Sequence, residues 1–386
     1  MITTDKILPQ TNGARIATMG LLRYLKKLGY GTTLVSFFNG VPYSDSENEI
    51  LVDVVDNCFL VEHKMPNVAL NFSLRFPNNI RKYTRNSMKK TIKNICKESI
   101  FDIVIIDHLQ MFEYASLFPN NRVLLHTHNV ESKIWKEYTE RCKWPISLLV
   151  NRSARMTYEY EKYALGKATA VLAICETDKK IFETMNSQAE ILEFRPYNKV
   201  EIVKSDDDIR KSSKKILFMG SYTWYPNQTA ALFLIEKIMP MLRKRINGVK
   251  LILVGHHPTE LMLEAAEKWD DIIVTGLVDS VDPYIKEADV FVNPIIDGSG
   301  INIKTIEAMG KRIPIVASRY GVRGISLVEG ESVFLYDNEN ECVDKIVFAI
   351  NNREKCLDIV DSARKYYEQF TEPSEDVRRV IYGNEK

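Results

Sequence analysis

Several absences narrow the sequence before any motif does. No apolar run approaches the ~20 residues that a membrane-spanning helix needs, and the N-terminus carries no secretory apolar core. An excess of one charge is missing: 52 Lys and Arg face 51 Asp and Glu, a net charge of +1. That balance argues against a nucleic-acid footprint over the whole chain and leaves only local patches. There is no C-x-x-C pair. The six cysteines (Cys58, Cys96, Cys142, Cys175, Cys342, Cys356) are scattered, which reads as reduced thiols in a cytoplasmic protein. Walker A, G-x-S-x-G and His-Glu-x-x-His motifs are all lacking. So are low-complexity tracts and short-period repeats.

What is present is an alternation. At 386 residues the chain is too long for one ordinary core, and two domains are expected. Met1 to Thr4 reads as the tail of a strand that is shorter than usual, from which we expect either a short strand or a natural start a few residues earlier. Helix Ala14 to Leu28 and strand Gly31 to Phe38 follow. Strands are expected at Cys58 to Glu62, Phe101 to Ile106, Val123 to Leu125 and Ala170 to Cys175. Helices are expected at Ile80 to Cys96, Ser132 to Cys142, Ile146 to Leu165 and Glu176 to Met185. The polar, charged stretch Ile191 to Lys215 reads as the domain boundary. A second alternation runs from strand Ile216 to Met219 through strand Ile313 to Ala317, and helices Glu341 to Asn351 and Arg353 to Phe370 close the chain. Strands separated by helices predict an α/β chain of two Rossmann-like halves, each a parallel, helix-covered sheet, with strand ends facing across a cleft.

The most informative stretch runs from Val292 to Lys311. An apolar run ends in Gly298 and Gly300, a helical pattern follows at once, and Ile313 to Ala317 is the next buried strand. Such a turn leaves backbone N–H groups at a helix N-terminus, outside a strand's carboxyl end, where phosphate binds. Lys304 adds a cation in the first turn. Glu307 lies one turn on, so both can face one ligand.

Other constellations are weaker. Gly220-Ser221-Tyr222-Thr223-Trp224 follows a strand and precedes Pro226; it is a phosphate or sugar loop, or an ordinary turn. Asn12-Gly13 sits in the first strand-to-helix loop and allows close backbone approach. Gly276-Leu277-Val278-Asp279 offers backbone groups to a base edge, or is a plain turn. His126-Thr127-His128-Asn129 ends strand Val123 to Leu125. Its two histidines are expected on opposite faces, which argues against a shared metal ion and favours one of them as a polar contact or proton handler. Asp206-Asp207-Asp208 lies in a polar connector and reads as a solvated charge run. Arg75 to Lys97 holds eight basic residues and no acidic one, with Phe72 and Phe76 nearby; Trp135 and Trp144 flank a second basic region. An anionic membrane surface fits both, as does a solvated helix face.

Gly298 to Gly310 with Pro314 to Ala317 resembles the donor-site signature of family 4 glycosyltransferases of the GT-B fold. Phe218 to Ser221, Trp224 to Asn227, Pro240, Leu253 to Gly255 and Gly276 to Val278 match in order. Pro9 to Ile16 and His128-Asn129-Val130-Glu131-Ser132 extend the resemblance over nearly the whole chain. It implies an acceptor domain at 1–195, a linker at 196–214, a donor domain at 215–365 and a C-terminal helix at 366–386 returning to the first domain. It implies a retaining enzyme that moves a hexose-type sugar from a UDP- or GDP-sugar to a glycan or lipid-linked acceptor. No metal cofactor and no nucleic acid take part. The protein is expected in the cytoplasm, peripherally attached to the inner face of the membrane. In this reading Glu307 binds the ribose hydroxyls. The amides of Ile301, Asn302 and Ile303 hold diphosphate or sugar, with Gly13, Gly220, Ser221, Ser299 and Gly300 lining the donor. Val278 meets the base, His128 faces the sugar, and Lys304 is the cation. The chain departs from the family where Ser299 replaces a glutamate and where Ser221 to Trp224 lacks an Arg and a Lys. A sugar-nucleotide 2-epimerase and a non-catalytic GT-B partner subunit are the alternatives.

Overall fold

The computed structural model describes residues 1–386 apart from 64–75, 145, 187, 196–199, 298–299, 371 and 384–386. Phe72, Arg75 and Ser299 therefore lie outside the described residues. The chain divides into two compact units: residues 1–10, 14–197 and 373–386 form one, and 11–13 with 198–372 the other.

The first unit runs β1 (Ile2–Thr3), α1 (Gly13–Lys27), β2 (Thr33–Phe38), α2 (Asp45–Val52), β3 (Asn57–Glu62), α3 (Asn78–Arg81), α4 (Asn86–Glu98), β4 (Ile103–Asp107), a 3-10 turn (Leu109–Leu117), β5 (Arg122–Thr127), α5 (Glu131–Arg141), α6 (Ile146–Lys167), β6 (Ala170–Ala173), α7 (Glu176–Met185) and β7 (Ile191–Glu193). Its seven strands are parallel, in the order β3-β2-β1-β4-β5-β6-β7. The strands read as unbroken apolar runs because both faces are covered. Val104 and Ile106 of β4 join one apolar cluster, while Ile105 between them joins the cluster on the other face.

The second unit runs α8 (Asp206–Arg210), β8 (Lys215–Met219), α9 (Tyr225–Phe233), a π-helical turn (Leu234–Ile238), α10 (Met239–Arg243), β9 (Lys250–Val254), α11 (Glu260–Lys268), β10 (Ile272–Gly276), α12 (Asp282–Glu287), β11 (Val290–Asn293), α13 (Ile303–Gly310), β12 (Ile315–Ser318), β13 (Phe334–Tyr336), α14 (Glu339–Asn351) and α15 (Arg353–Phe370). The sheet order is β10-β9-β8-β11-β12-β13, again parallel. In both units the strand order reverses beside the first strand, between β1 and β4 and between β8 and β11. That reversal point is where open α/β sheets bind ligands.

α16 (Glu375–Tyr382) belongs to the first unit. Val377, Val380 and Ile381 pack with Leu21, Tyr24 and Leu25 of α1, and the Arg122 guanidinium donates to the carbonyls of Val380 and Ile381.

The structure departs from the sequence expectations at several elements. The stretch Ile80 to Cys96 is two helices, broken at Lys82–Arg85, where Tyr114 accepts from the Arg85 amide and donates to the Tyr83 carbonyl. The stretch Ile191 to Lys215 holds the division between the units, at 197/198, but is not only a connector. It supplies β7 and α8, and it buries Lys204, whose ammonium donates to the carbonyls of Lys286 and Ala288 at 2.7 and 2.8 Å. Asp206-Asp207-Asp208 opens α8 inside a capping box with Ser205, so it is helix-start chemistry. α2 and β13 were not expected; each is short or weakly patterned.

Candidate functional site

In the second unit the reversal point is built from the loops after β8 and β11. Gly300 has φ of 76°, a left-handed turn that feeds the chain from β11 into α13. Side chains pin the start of α13. Asn293, wholly buried at the end of β11, donates to the Thr305 hydroxyl at 2.9 Å and to the Gly321 carbonyl at 3.1 Å. Thr305 donates to the same carbonyl at 2.8 Å, and Asn302 donates to the Tyr320 carbonyl at 3.1 Å. The Asn302 side chain caps nothing. Among the described residues the amides of Ile301, Asn302 and Lys304 donate to no carbonyl. The amide of Ile303, expected to bind ligand, turns back onto the Ile301 carbonyl at 3.1 Å. The tight turn before the helix uses that donor.

Lys304 is the unusual group. Its ammonium donates to Asn227 Oδ1 at 2.5 Å and lies 4.5 Å above the Phe218 ring centre. Neither partner is charged, and among the described residues it forms no ion pair with a carboxylate. Burial pulls its pKa down from 10.5 to about 7. Asn227 in turn donates to the Ser221 carbonyl at 2.7 Å, and Gln228 to the Tyr222 carbonyl at 2.6 Å, fixing the loop after β8. The Gly220 backbone comes close to both groups: a Cβ there would fall 2.8 Å from the Lys304 ammonium and from the Asn227 amide nitrogen, displacing them. Ser221 is buried and hydrogen-bonds Thr223 at 2.7 Å.

Within the protein, Glu307 and Lys304 hold different partners. Glu307 pairs with Lys311 at 2.5 Å, and Lys311 reaches Asp282 of α12 at the same distance. An i,i+4 cation proved nearer than the i−3 one. Val278 follows β10 and packs partly on the core, beside the exposed Leu277. Gly13 opens α1.

In the first unit the reversal point holds a different cluster. Asp107 closes β4 and is fully buried. Its Oδ1 meets His126 Nδ1 and His128 Nε2, both at 2.7 Å, and its Oδ2 accepts from Thr3 at 2.6 Å and Thr18 at 2.8 Å. Burial disfavours the carboxylate, but His128, His108 and these bonds hold it well below the usual carboxylate range. An ionised carboxylate only accepts, so His126 carries its proton on Nδ1 and His128 on Nε2. His108, at φ of 75°, stacks on His128 with centroids 3.9 Å apart; burial, then His128, pushes its pKa down to about 3. The opposite-face expectation for the two strand-end histidines is thus overturned. Side chains alternate with period two, so residues 126 and 128 share a face. Asp107, His126 and His128 bring three metal-ligand atoms within 4.8 Å of one another, and here they bond to each other. The segment after His128 is held from α6, where buried Glu161 accepts from the amides of Glu131 and Ser132 at 2.8 and 3.2 Å and from the Ser132 hydroxyl at 2.5 Å. Burial pushes its pKa up to about 8.

Sequence reasoning missed Asp107, Asn227, Asn293 and Lys311 as partners. An acid or amide closing an apolar run, as at Asp107 and Asn293, was the available signal.

Two parallel, helix-covered sheets, each with its strand order reversing beside its first strand, are the architecture of the GT-B fold. The family model described as glycosyl transferases group 1 matches residues 213–352, within the second unit. Over 355 residues the chain is 19% identical to a 44.6 kDa protein in the cps region of Klebsiella pneumoniae, covering 88% of this chain and 87% of that one. Among solved structures, Anabaena HepE in complex with UDP and glucose superposes with a TM-score of 0.66 at 13% identity, over 99% of each chain. WaaG, a glycosyltransferase involved in lipopolysaccharide biosynthesis, superposes with a TM-score of 0.65 at 14% identity, over 100% of each chain. At such identities the structural likeness shows the fold.

Proposed function

We propose that the protein is a retaining glycosyltransferase that moves a hexose-type sugar from a UDP-sugar to a glycan or lipid-linked acceptor. One observation carries this reading: among the described residues Lys304 is a half-buried cation with no carboxylate partner, in the first turn of a helix before which the Ile301 and Asn302 amides donate to no carbonyl. Such a cation lacks an anion, and a diphosphate supplies one. The match to the glycosyl transferase family model covers this unit, and HepE, which shares the fold, is described with UDP and glucose.

In the proposed reaction the bond between the sugar C1 and the diphosphate oxygen breaks, and negative charge develops on the leaving UDP. Lys304 and the amides of Ile301 and Asn302 offset that charge, the role a divalent ion has in metal-dependent enzymes. The acceptor hydroxyl attacks C1 on the same face, and its proton passes to the leaving phosphate. Glu307 takes the ribose hydroxyls, sharing its carboxylate with Lys311. Val278, Gly220, Ser221, Gly300, Gly13 and Ser299 complete the proposed donor contacts. The test is a thermal-shift and calorimetric panel of UDP, GDP and their sugars, followed by turnover with UDP-glucose. Stabilisation by UDP and release of UDP from the sugar donor is the expected result. Absence of any nucleotide binding overturns the reading.

A further inference from the structure

The remaining basic and aromatic regions are resolved by where their apolar side chains go. α4 carries Lys90, Lys93 and Lys97 in solvent, but its apolar residues Met88, Ile92 and Ile95 are buried in the core. It has basic charge and nothing to insert. The α5–α6 hairpin is the opposite. At its tip Trp144 is 78% exposed, Ile146 59%, Leu148 61% and Leu149 55%, and Tyr138 near the end of α5 is also exposed. No other segment among the described residues gathers four large apolar side chains in solvent within six positions.

Folding does not account for them. The inward stripe of α6 is Val150, Ala154, Thr157, Glu161 and Ala164, at helical spacing. Ile146 lies four residues before Val150, on this stripe, yet is exposed, and Leu148 and Leu149 lie off it altogether. Charge supplies the complement. From Arg141 to Tyr158 the sequence has four basic residues and no acidic one. Lys143, Arg152 and Arg155 are exposed, and Glu140 and Glu159 flank the tract. At 1.5 Å per residue, Arg152 lies about 9 Å along the axis from Ile146. That is close to the depth of ~5–10 Å to which apolar groups enter the headgroup boundary of a bilayer. An apolar tip with a basic collar at phosphate height is therefore matched to an anionic lipid surface.

We propose that the tip of the α5–α6 hairpin docks the protein on an anionic membrane, with Trp144, Ile146, Leu148 and Leu149 inserted and Arg152 and Arg155 at the phosphates. The docking stands on its own geometry; only its purpose, reaching a lipid-linked acceptor, rests on the glycosyltransferase reading. The test is flotation of the full chain with vesicles of phosphatidylcholine alone or with about a third phosphatidylglycerol. We expect retention on the anionic vesicles, a loss of about tenfold or more for the W144E/L148E/L149E variant, and a smaller loss for R152Q/R155Q. The UDP-induced thermal shift of each variant should stay unchanged, which reports an intact fold and donor site independently of lipid. Equal flotation of the wild type and the triple glutamate variant overturns the proposal, as does no flotation of the wild type. A wild type that is dimeric in solution and becomes monomeric on W144E/L148E/L149E substitution also overturns it, because the patch is then a face for a second copy. If docking holds while UDP fails to bind, the glycosyltransferase reading falls and the docking stands.

Discussion

The two units place charged groups at the same topological position and treat them oppositely. In the first, Asp107 at the end of β4 is surrounded by two imidazoles and two hydroxyls, and every hydrogen bond it accepts comes from the protein. In the second, Lys304 has an amide oxygen and an aromatic ring. A buried charge that the fold has already matched holds a structure together; one left unmatched awaits a ligand of opposite sign. The difference separates a positioning cluster from the proposed donor site, at the reversal points of parallel sheets of seven and six strands.

The comparison can be broken from its larger side first. Removing the acceptor in Asp107→Ala should destabilise the fold by about 3–5 kcal/mol, because buried donors lose their partner; chemical denaturation measures it, and a change below about 1 kcal/mol would show that the cluster is not structural. Lys304→Met should leave stability unchanged or raised and weaken UDP binding about a hundredfold, roughly 2.7 kcal/mol. Equal calorimetric affinities would remove Lys304 from the site. The same cation predicts a pH effect. With its pKa near 7, Lys304 is charged below that pH and largely neutral above it, so UDP should bind more weakly as pH rises from 7 to 8.5. At pH 8 binding should take up protons, read as a dependence of binding enthalpy on buffer ionisation, and Lys304→Met should abolish the uptake. Asn227→Asp sharpens the comparison by giving Lys304 the carboxylate it lacks. It should weaken UDP binding about tenfold and remove the proton uptake at pH 8. The smallest effect is expected from Glu307→Ala, about fivefold on UDP affinity, since Lys311 is released as the ribose contact is lost. A loss confined to UDP, with uridine-free diphosphate binding unchanged, would place Glu307 at the ribose.

Much of the fold was legible because parallel strands covered on both faces are unbroken apolar runs, such as Lys250–Val254 and Val290–Asn293. Short elements were not. β7 and β13 have three residues each, too few for a period to register. Of the site, Lys304 and Gly300 could be read because helix start and glycine turn are local features. The partners of Glu307 could not, because Lys311 and Lys304 both lie within one turn of it and only packing against Asp282 of α12 decided between them. The same holds for the basic tracts: α4 and the start of α6 look alike in composition, and burial of Met88, Ile92 and Ile95 separates them.

By itself, then, the sequence determined two parallel αβ halves, the glycine turn before α13, and a cation in that helix's first turn, since each depends on residues within a few positions of one another. Tertiary structure decided which charges are matched. Asp107 meets Thr3, Thr18, His126 and His128 across separations of up to 104 residues, and Lys304 meets Asn227 across 77. Whether a buried charge is neutralised depends on groups that only the packed sheet brings within hydrogen-bond reach.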